Sequence, residues 1–202
     1  IGTGSSFLVY LIYHINREEL FAIKKINNNY KEESKLIKRV LNNCKKLNHP
    51  FIPKFYGTVK IRDYLVMEFI DGKTLNLINI NELNDIDILN IIFELILSIK
   101  YLHDNHFIFR DLKPDNIMID SNKNAIIIDF DRMIKDEDVG KNKEYTNDLS
   151  SAAPEVNSGT FSYKCDIYSL GLVMNYIISK RTQSEGNMKK YSDIKQICEE
   201  CL

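Results

Sequence analysis

The sequence predicts an α+β fold, a strand-rich N-terminal part holding one helix followed by a larger, mainly helical part, in one domain or one domain built as two lobes. Three observations carry that prediction. Between Phe7 and Ile70 the apolar residues gather in short runs rich in β-branched and aromatic types. From Ile86 onward the longest apolar segments repeat at helical spacing or are apolar all round. The 202 residues, 44% hydrophobic and 27% charged, suffice for a core and are too ordinary for disorder, collagen-like repeats or a disulfide scaffold.

The elements follow in order. "FLVYLIYHINREELFAIKKI" reads as a hairpin, two strands joined across His14 to Glu19. Tyr30 to Leu47 is a charged helix carrying Leu36, Ile37, Val40, Leu41 and Cys44 at helical spacing. "HPFIPKFYG" is a turn leading to a strand, and "YLVMEFI" is a further strand closed by the turn "DGK". Ile86 to His103 is a helix with Leu89, Ile92, Phe93, Ile96, Ile99 and Leu102 on its apolar side. A loop, two short strands at "NIMI" and "AIII" and a polar segment to Asn157 follow. "DIYSLGLVMNYIIS" suits a helix buried within a lobe.

Composition excludes several classes of function. A formal net charge of −1 argues against a mainly electrostatic nucleic-acid binder. Lys and Arg are dispersed, which argues against a polybasic membrane patch. Asp87, Glu94 and Lys100 interrupt the longest apolar segment, so no membrane span is expected. The four cysteines form no disulfide-like pattern, and a soluble cytoplasmic protein is the default. Cys198 and Cys201 read either as half of a zinc or redox site or as two small apolar residues on one helical face. No second Cys pair accompanies them, and His103 and His106 have no Cys nearby in sequence.

Two stretches carry chemistry. In "FRDLKPDNIMID", Asp111, Lys113 and Asn116 share a loop between a helix and a strand. A carboxylate can accept a hydroxyl proton, an ammonium can face a phosphate, and an amide oxygen can ligate a hard cation. In "AIIIDFDRM", Asp129 and Asp131 close an apolar strand, where two carboxylates are costly without a positive neighbour. They read as a metal site, a polar turn, or a degraded copy of a better-known motif. These are the parts that metal-assisted phosphoryl transfer needs.

"FAIKK", "RDLKPDN", "DFD", "APE" and "DIYSLG", in this order and at these spacings, resemble the protein kinases across essentially the whole chain. The resemblance implies a two-lobed kinase-like fold: an N-lobe over 1–67, a hinge over 68–72 and a C-lobe over 73–202, incomplete at both ends. It implies ATP and Mg²⁺ as cofactors. Gly2 and Gly4 would belong to the Gly-rich loop, Val9 and Ala22 would cover adenine, and Lys24 would bind the α and β phosphates. Met67 would be the gatekeeper, Glu68 and Ile70 would offer backbone hydrogen bonds to adenine, and Met118 would close the base from below. Asp111 would be the catalytic base and Lys113 would steady the transferred phosphate, in a pattern resembling Ser/Thr kinases. Asn116 and Asp129 would ligate Mg²⁺. Arg110 would pair with a phosphate on Thr146, Ser150 or Ser151, and Asp166 would hold the catalytic loop by its backbone. The partner is then a protein substrate; the alternative is an ATP-binding, pseudokinase-like scaffold that regulates a partner protein. The sequence sets no oligomeric state.

The pattern also fails in places. Phe7 stands for the loop's third glycine and Asp131 for the glycine of the metal motif. Val40 occupies the position of the helix glutamate that pairs with the lysine, and Glu33 lies ~10 Å further along the axis. Asp148 and Ser151 replace the usual Thr and Tyr before "APE". Nucleotide, metal and proton-transfer residues are kept, while the losses fall on switching and substrate docking.

Overall fold

The computed structural model describes residues 2–3, 7–26, 30–59, 64–140, 153–158, 161–185 and 191–201. The backbone forms two compact units, Ile1–Asp71 and Gly72–Leu202. Among the described residues, the first unit holds a five-stranded antiparallel sheet and one helix. Its strands are β1 (Gly2–Thr3), β2 (Phe7–His14), β3 (Glu19–Ile26), β4 (Phe55–Val59) and β5 (Tyr64–Glu68), in the order β1-β2-β3-β5-β4. The hairpin is as expected, with Phe7 opposite Ile26 and His14 opposite Glu19.

Helix α1 (Tyr30–Cys44) stops a turn short of the expected Leu47, where the chain leaves in a turn. Ile37, Val40 and Cys44 are its buried stripe, spaced three and four apart, and the helix packs on β4 and β5. Phe21 on β3 and Tyr56 on β4 meet edge to face at 5.0 Å across the sheet.

The second unit opens with a correction. "DGK" was expected as a turn, yet Gly72–Thr74 is a strand, β6. It pairs antiparallel with β8 (Ile117–Asp120), which pairs in turn with β9 (Ala125–Ile127). Gly72 is required there, because a Cβ would run into the Ile119 carbonyl of the neighbouring strand. Local turn chemistry yielded to a long-range pairing that the sequence does not announce.

Helix α2 (Asp85–Asp104) starts at a capping box: Asn84 Oδ1 accepts from Asp87 N at 2.8 Å, and Asp87 Oδ2 accepts from Asn84 N at 3.0 Å. Its buried stripe is Ile88, Ile91, Ile92, Leu95, Ile99 and Leu102. Leu89, Phe93 and Ile96, expected on the apolar side, stand 48%, 59% and 38% exposed. Apolar residues occupy so much of this helix that spacing alone cannot say which stripe faces the core. Glu94, on the buried side, accepts from Ala125 N at 2.6 Å and so ties the helix to β9.

The segment after β9 also holds order that the sequence hid. β10 (Ile134–Lys135) pairs with β7 (Phe107–Ile108), and the Asp136 carboxylate joins His106 Nδ1 at 3.0 Å and the Tyr163 hydroxyl at 2.6 Å. Tyr163, and after it His106, hold Asp136 below the usual carboxylate range; the same bond pushes the Tyr163 phenol up to about 12.

Helix α3 (Tyr163–Glu185) is the buried helix, with Val173, Met174, Ile177 and Ile178 inside, and it packs on α2 and on α4 (Ser192–Cys201). The four cysteines are free; Cys198 is buried on α4, and no cluster of metal-ligating side chains occurs among the described residues. Cys198 and Cys201 stand three apart on α4, the first buried and the second half-buried. Among the described residues, no helix is long and apolar enough to cross a membrane.

Candidate active site

The second unit brings Asp111, Lys113, Asn116 and Asp129 together through backbone geometry. Phe109 to Leu112 run on without regular structure from β7, and Pro114–Asn116 form a single 3₁₀ turn leading into β8. Proline at the first position suits such a turn, since its missing N–H needs no partner there. Ile128 N donates to the Asn116 carbonyl at 2.8 Å, which ties Asn116 to the residue just before Asp129.

Asp166, at the first turn of α3, holds the loop. It is fully buried, and its carboxylate accepts from Phe109 N and Arg110 N, each at 2.8 Å, and meets His103 Nε2 at 2.9 Å. This is the backbone-holding role expected of Asp166. His103 thus has a structural partner, whereas the sequence offered it only as an unsupported metal ligand. Arg110 adopts φ 72°, a left-handed conformation unfavourable for a residue with a Cβ, and hydrogen bonds from its own N–H and that of Phe109 to the buried Asp166 carboxylate hold it there.

Asp111 is the centre of the site, with its side chain 11% exposed. Asn116 Nδ2 donates to Asp111 Oδ2 at 2.7 Å and to the Asp111 carbonyl at 2.8 Å. Both amide protons of Asn116 face Asp111, which leaves Oδ1 as the acceptor this side chain can offer a cation. Lys113 Nζ lies 3.2 Å from Asp111 Oδ1, and Arg132 Nη1 lies 3.6 Å from the same oxygen.

Arg132 was missed in the sequence. It stands in the quoted stretch "AIIIDFDRM", but nothing in its local pattern shows that it reaches back to a loop some twenty residues earlier. The Arg110 guanidinium lies 4.1 Å over the ring of Phe161, a cation–π contact. Its expected phosphate-bearing partners, Thr146, Ser150 and Ser151, lie outside the described residues, as does Asp148.

At Asp129 the backbone turns left-handed, with φ 65° and ψ 74°, and Phe130–Arg132 then form a 3₁₀ turn. Asp131 stands where the family's metal motif has a glycine. It is not among the residues with positive φ; the special position is Asp129 itself. Phe130 is buried and meets Phe109 edge to face at 5.2 Å. Met118 lies on β8 opposite Thr74 and Ile126, on the face away from the buried Ile117 and Ile119.

In the first unit, register places four expected residues on one sheet face. Val9 is opposite Lys24, Ala22 is opposite Met67, and Ala22 and Lys24 are two apart on β3. Lys24 is 7% exposed, deep for an ammonium group. Val40 is also buried, while the side chain of Glu33 lies outside what is described. Glu68 N donates to the Lys54 carbonyl at 2.9 Å, and the Glu68 carboxylate accepts from Lys54 N at 3.0 Å, so this residue is pinned at the end of β5. Ile70 follows in irregular backbone. Gly2 lies on β1 opposite Val9; Gly4 and the Phe7 side chain are outside the described residues.

The family model for the protein kinase domain matches residues 1–201. The chain is 31% identical over 205 residues to calcium-dependent protein kinase 6 of Plasmodium berghei, covering 97% of this chain and 14% of that protein. It is 30% identical over 196 residues to serine/threonine-protein kinase PrkC of Bacillus subtilis, covering 92% of this chain and 30% of that one. It is 32% identical over 200 residues to the ovarian-specific serine/threonine-protein kinase Lok of Drosophila melanogaster, covering 86% and 41%. The chain therefore spans less than half the length of these relatives. With a match that runs from residue 1 to residue 201, the chain belongs to the protein kinase family.

Proposed function

We propose that the chain transfers the γ-phosphoryl group of ATP to Ser or Thr hydroxyls of protein substrates. The observation that carries this reading is the ring of partners around Asp111: an amide donor, an ammonium and a guanidinium fix a carboxylate at one place and orientation. Such fixing is what a general base needs, since efficiency depends on reach before pKa. Asp111 accepts the acceptor hydroxyl's proton. Lys113 turns its charge to the transferred phosphate.

The residues fit Mg²⁺. Asn116 Oδ1 and the Asp129 carboxylate are hard oxygen donors, and Mg²⁺ takes few protein ligands beside phosphate and water. The protein kinase family uses ATP and Mg²⁺ in general, and bound Mg²⁺-ATP supplies both the phosphoryl group and the divalent charge that neutralises it. In the first unit Lys24 takes the α and β phosphates, with Val9 and Ala22 as apolar surface for adenine. Met67 limits access beside the base, while the Glu68 carbonyl and the Ile70 N–H are the backbone groups offered to it. Gly2 and Gly4 leave backbone amides open to phosphate. The free cysteines suit a reducing cytoplasm, and a protein substrate is the partner.

A second reading keeps nucleotide binding without transfer, in a scaffold that regulates a partner protein. Val40 in the glutamate position is the observation behind it, because a buried valine supplies no carboxylate there. The two separate in one experiment on wild type and Asp111→Asn. Catalysis predicts phosphate transfer from Mg²⁺-ATP to a generic Ser/Thr substrate, reduced about 10²–10⁴-fold in the variant. The scaffold predicts a nucleotide-dependent rise in Tm, equal in both proteins, with transfer at background. No shift and no transfer would refute both.

A further inference from the structure

We propose that Arg132 is a positioning residue for Asp111: it keeps the carboxylate aimed when the other partners of Asp111 turn toward nucleotide and metal. The inference rests on the phosphoryl-transfer reading for those other roles, though its structural part stands alone. Among the described residues three groups reach the Asp111 carboxylate. Asn116 holds Oδ2 at 2.7 Å, while Lys113 at 3.2 Å and Arg132 at 3.6 Å share Oδ1. In the reacting complex Lys113 and Asn116 have second duties. Lys113 is drawn to the transferred phosphate, and the Asn116 amide is constrained by the cation on its other end.

Arg132 has no such duty. It lies one turn beyond Asp129 in a 3₁₀ turn, so its backbone is anchored to the same strand end as the metal-ligating carboxylate. Its guanidinium is planar and carries five donors, so it can shift from a 3.6 Å ion pair to a direct hydrogen bond by rotating its terminal torsions. With its side chain 33% exposed, it has room for that rotation. Asp129 and Asp131 are its acidic neighbours along the chain, and Asp111 is the acid it reaches across space.

A double-mutant cycle decides the case. Asp111→Asn, Arg132→Leu and the double variant are melted alone and with Mg²⁺ and a non-hydrolysable ATP analogue. Positioning predicts that the two single losses in Tm exceed the loss in the double by about 2 °C, with a larger difference when nucleotide is present. In steady-state transfer, Arg132→Leu should lower kcat about tenfold with KM for ATP within twofold, and Arg132→Lys should recover part of the loss. Additive Tm losses would overturn the proposal, and so would a kcat unchanged or raised in Arg132→Leu, the latter marking Arg132 as a brake. If wild type transfers no phosphate, the proposed function falls, while the melting cycle still decides whether Arg132 holds Asp111.

Discussion

Replacing Asp166 should cost a large part of the protein's stability. The side chain is fully buried and accepts three hydrogen bonds, from Phe109 N, Arg110 N and His103 Nε2, at 2.8, 2.8 and 2.9 Å. Hydrogen bonds to a charged group contribute about 1.5–3 kcal/mol each, and a buried donor left without its acceptor costs about 1–3 kcal/mol. In Asp166→Ala both backbone donors lose their acceptor together with the histidine. Because the three share one carboxylate their losses do not add, and about 3–5 kcal/mol is expected in total. Set against a typical domain stability of about 5–15 kcal/mol, that is a large share. Asp166→Asn keeps one acceptor oxygen, so about 2 kcal/mol is expected. Urea unfolding followed by far-UV circular dichroism measures both, since the chain has no Trp to report by fluorescence. An Asp166→Ala protein within 1 kcal/mol of wild type, at unchanged m-value, would refute the argument.

Burial pushes the Glu94 carboxyl up, with the bond from Ala125 N opposing and the charge of Asp120 adding to the rise. The folded state therefore holds this proton more tightly than the unfolded chain, and stability falls as pH rises from the usual carboxylate value through the raised one. Glu94→Gln keeps an acceptor for Ala125 N and carries no charge, so its urea midpoint at pH 7 should equal or exceed that of wild type. Glu94→Ala should lose about 1–3 kcal/mol by stranding the Ala125 donor, and a glutamine variant as damaged as the alanine one would refute the assignment. Asp131→Gly, which restores the family's residue, should lower stability by about 0.5–1 kcal/mol, because position 131 lies within a 3₁₀ turn and is not among the positive-φ residues. A higher Tm in that variant would show that the glycine conformation is the preferred one.

Much of this fold was legible because its local signals agree with its long-range ones. Helix α1 carries a periodicity that matches the stripe it buries, and the β2–β3 hairpin is marked by its β-branched and aromatic residues. The expected chemistry residues were legible for a different reason: their motif spacings are dense, and a loop of six residues can only bring Asp111, Lys113 and Asn116 close together. What could not be read depends on contacts between distant segments. "DGK" has turn residues but lies against β8, and the β7–β10 pair joins residues too short in run to show alternation. Leu89, Phe93 and Ile96 satisfy helical spacing as well as their buried neighbours do, so spacing could not rank them. Arg132 illustrates the limit at the site itself, because its role is set by where Asp111 lies and not by its own neighbours in sequence.

The left-handed residues at the site explain why two phenylalanines sit inside polar motifs. Arg110 at φ 72° and Asp129 at φ 65° each occupy a conformation that costs a non-glycine residue on the order of 1–3 kcal/mol. Each is adjacent in sequence to a buried ring, Phe109 before Arg110 and Phe130 after Asp129, and these rings pack on one another at 5.2 Å with planes 74° apart. Burying two such side chains stabilises the pair of strained turns by several kcal/mol, roughly 1.5–3 for each ring. Asp166 adds its two backbone bonds on one side, and the Ile128 N to Asn116 carbonyl bond adds another on the other. Strain at these positions persists because packing and hydrogen bonding over-determine the backbone around them. Asp111 and Asn116 therefore owe their mutual geometry to the buried rings behind the loop as well as to their own contacts. It follows that a loop with all its polar residues intact would still lose its arrangement if either ring were removed.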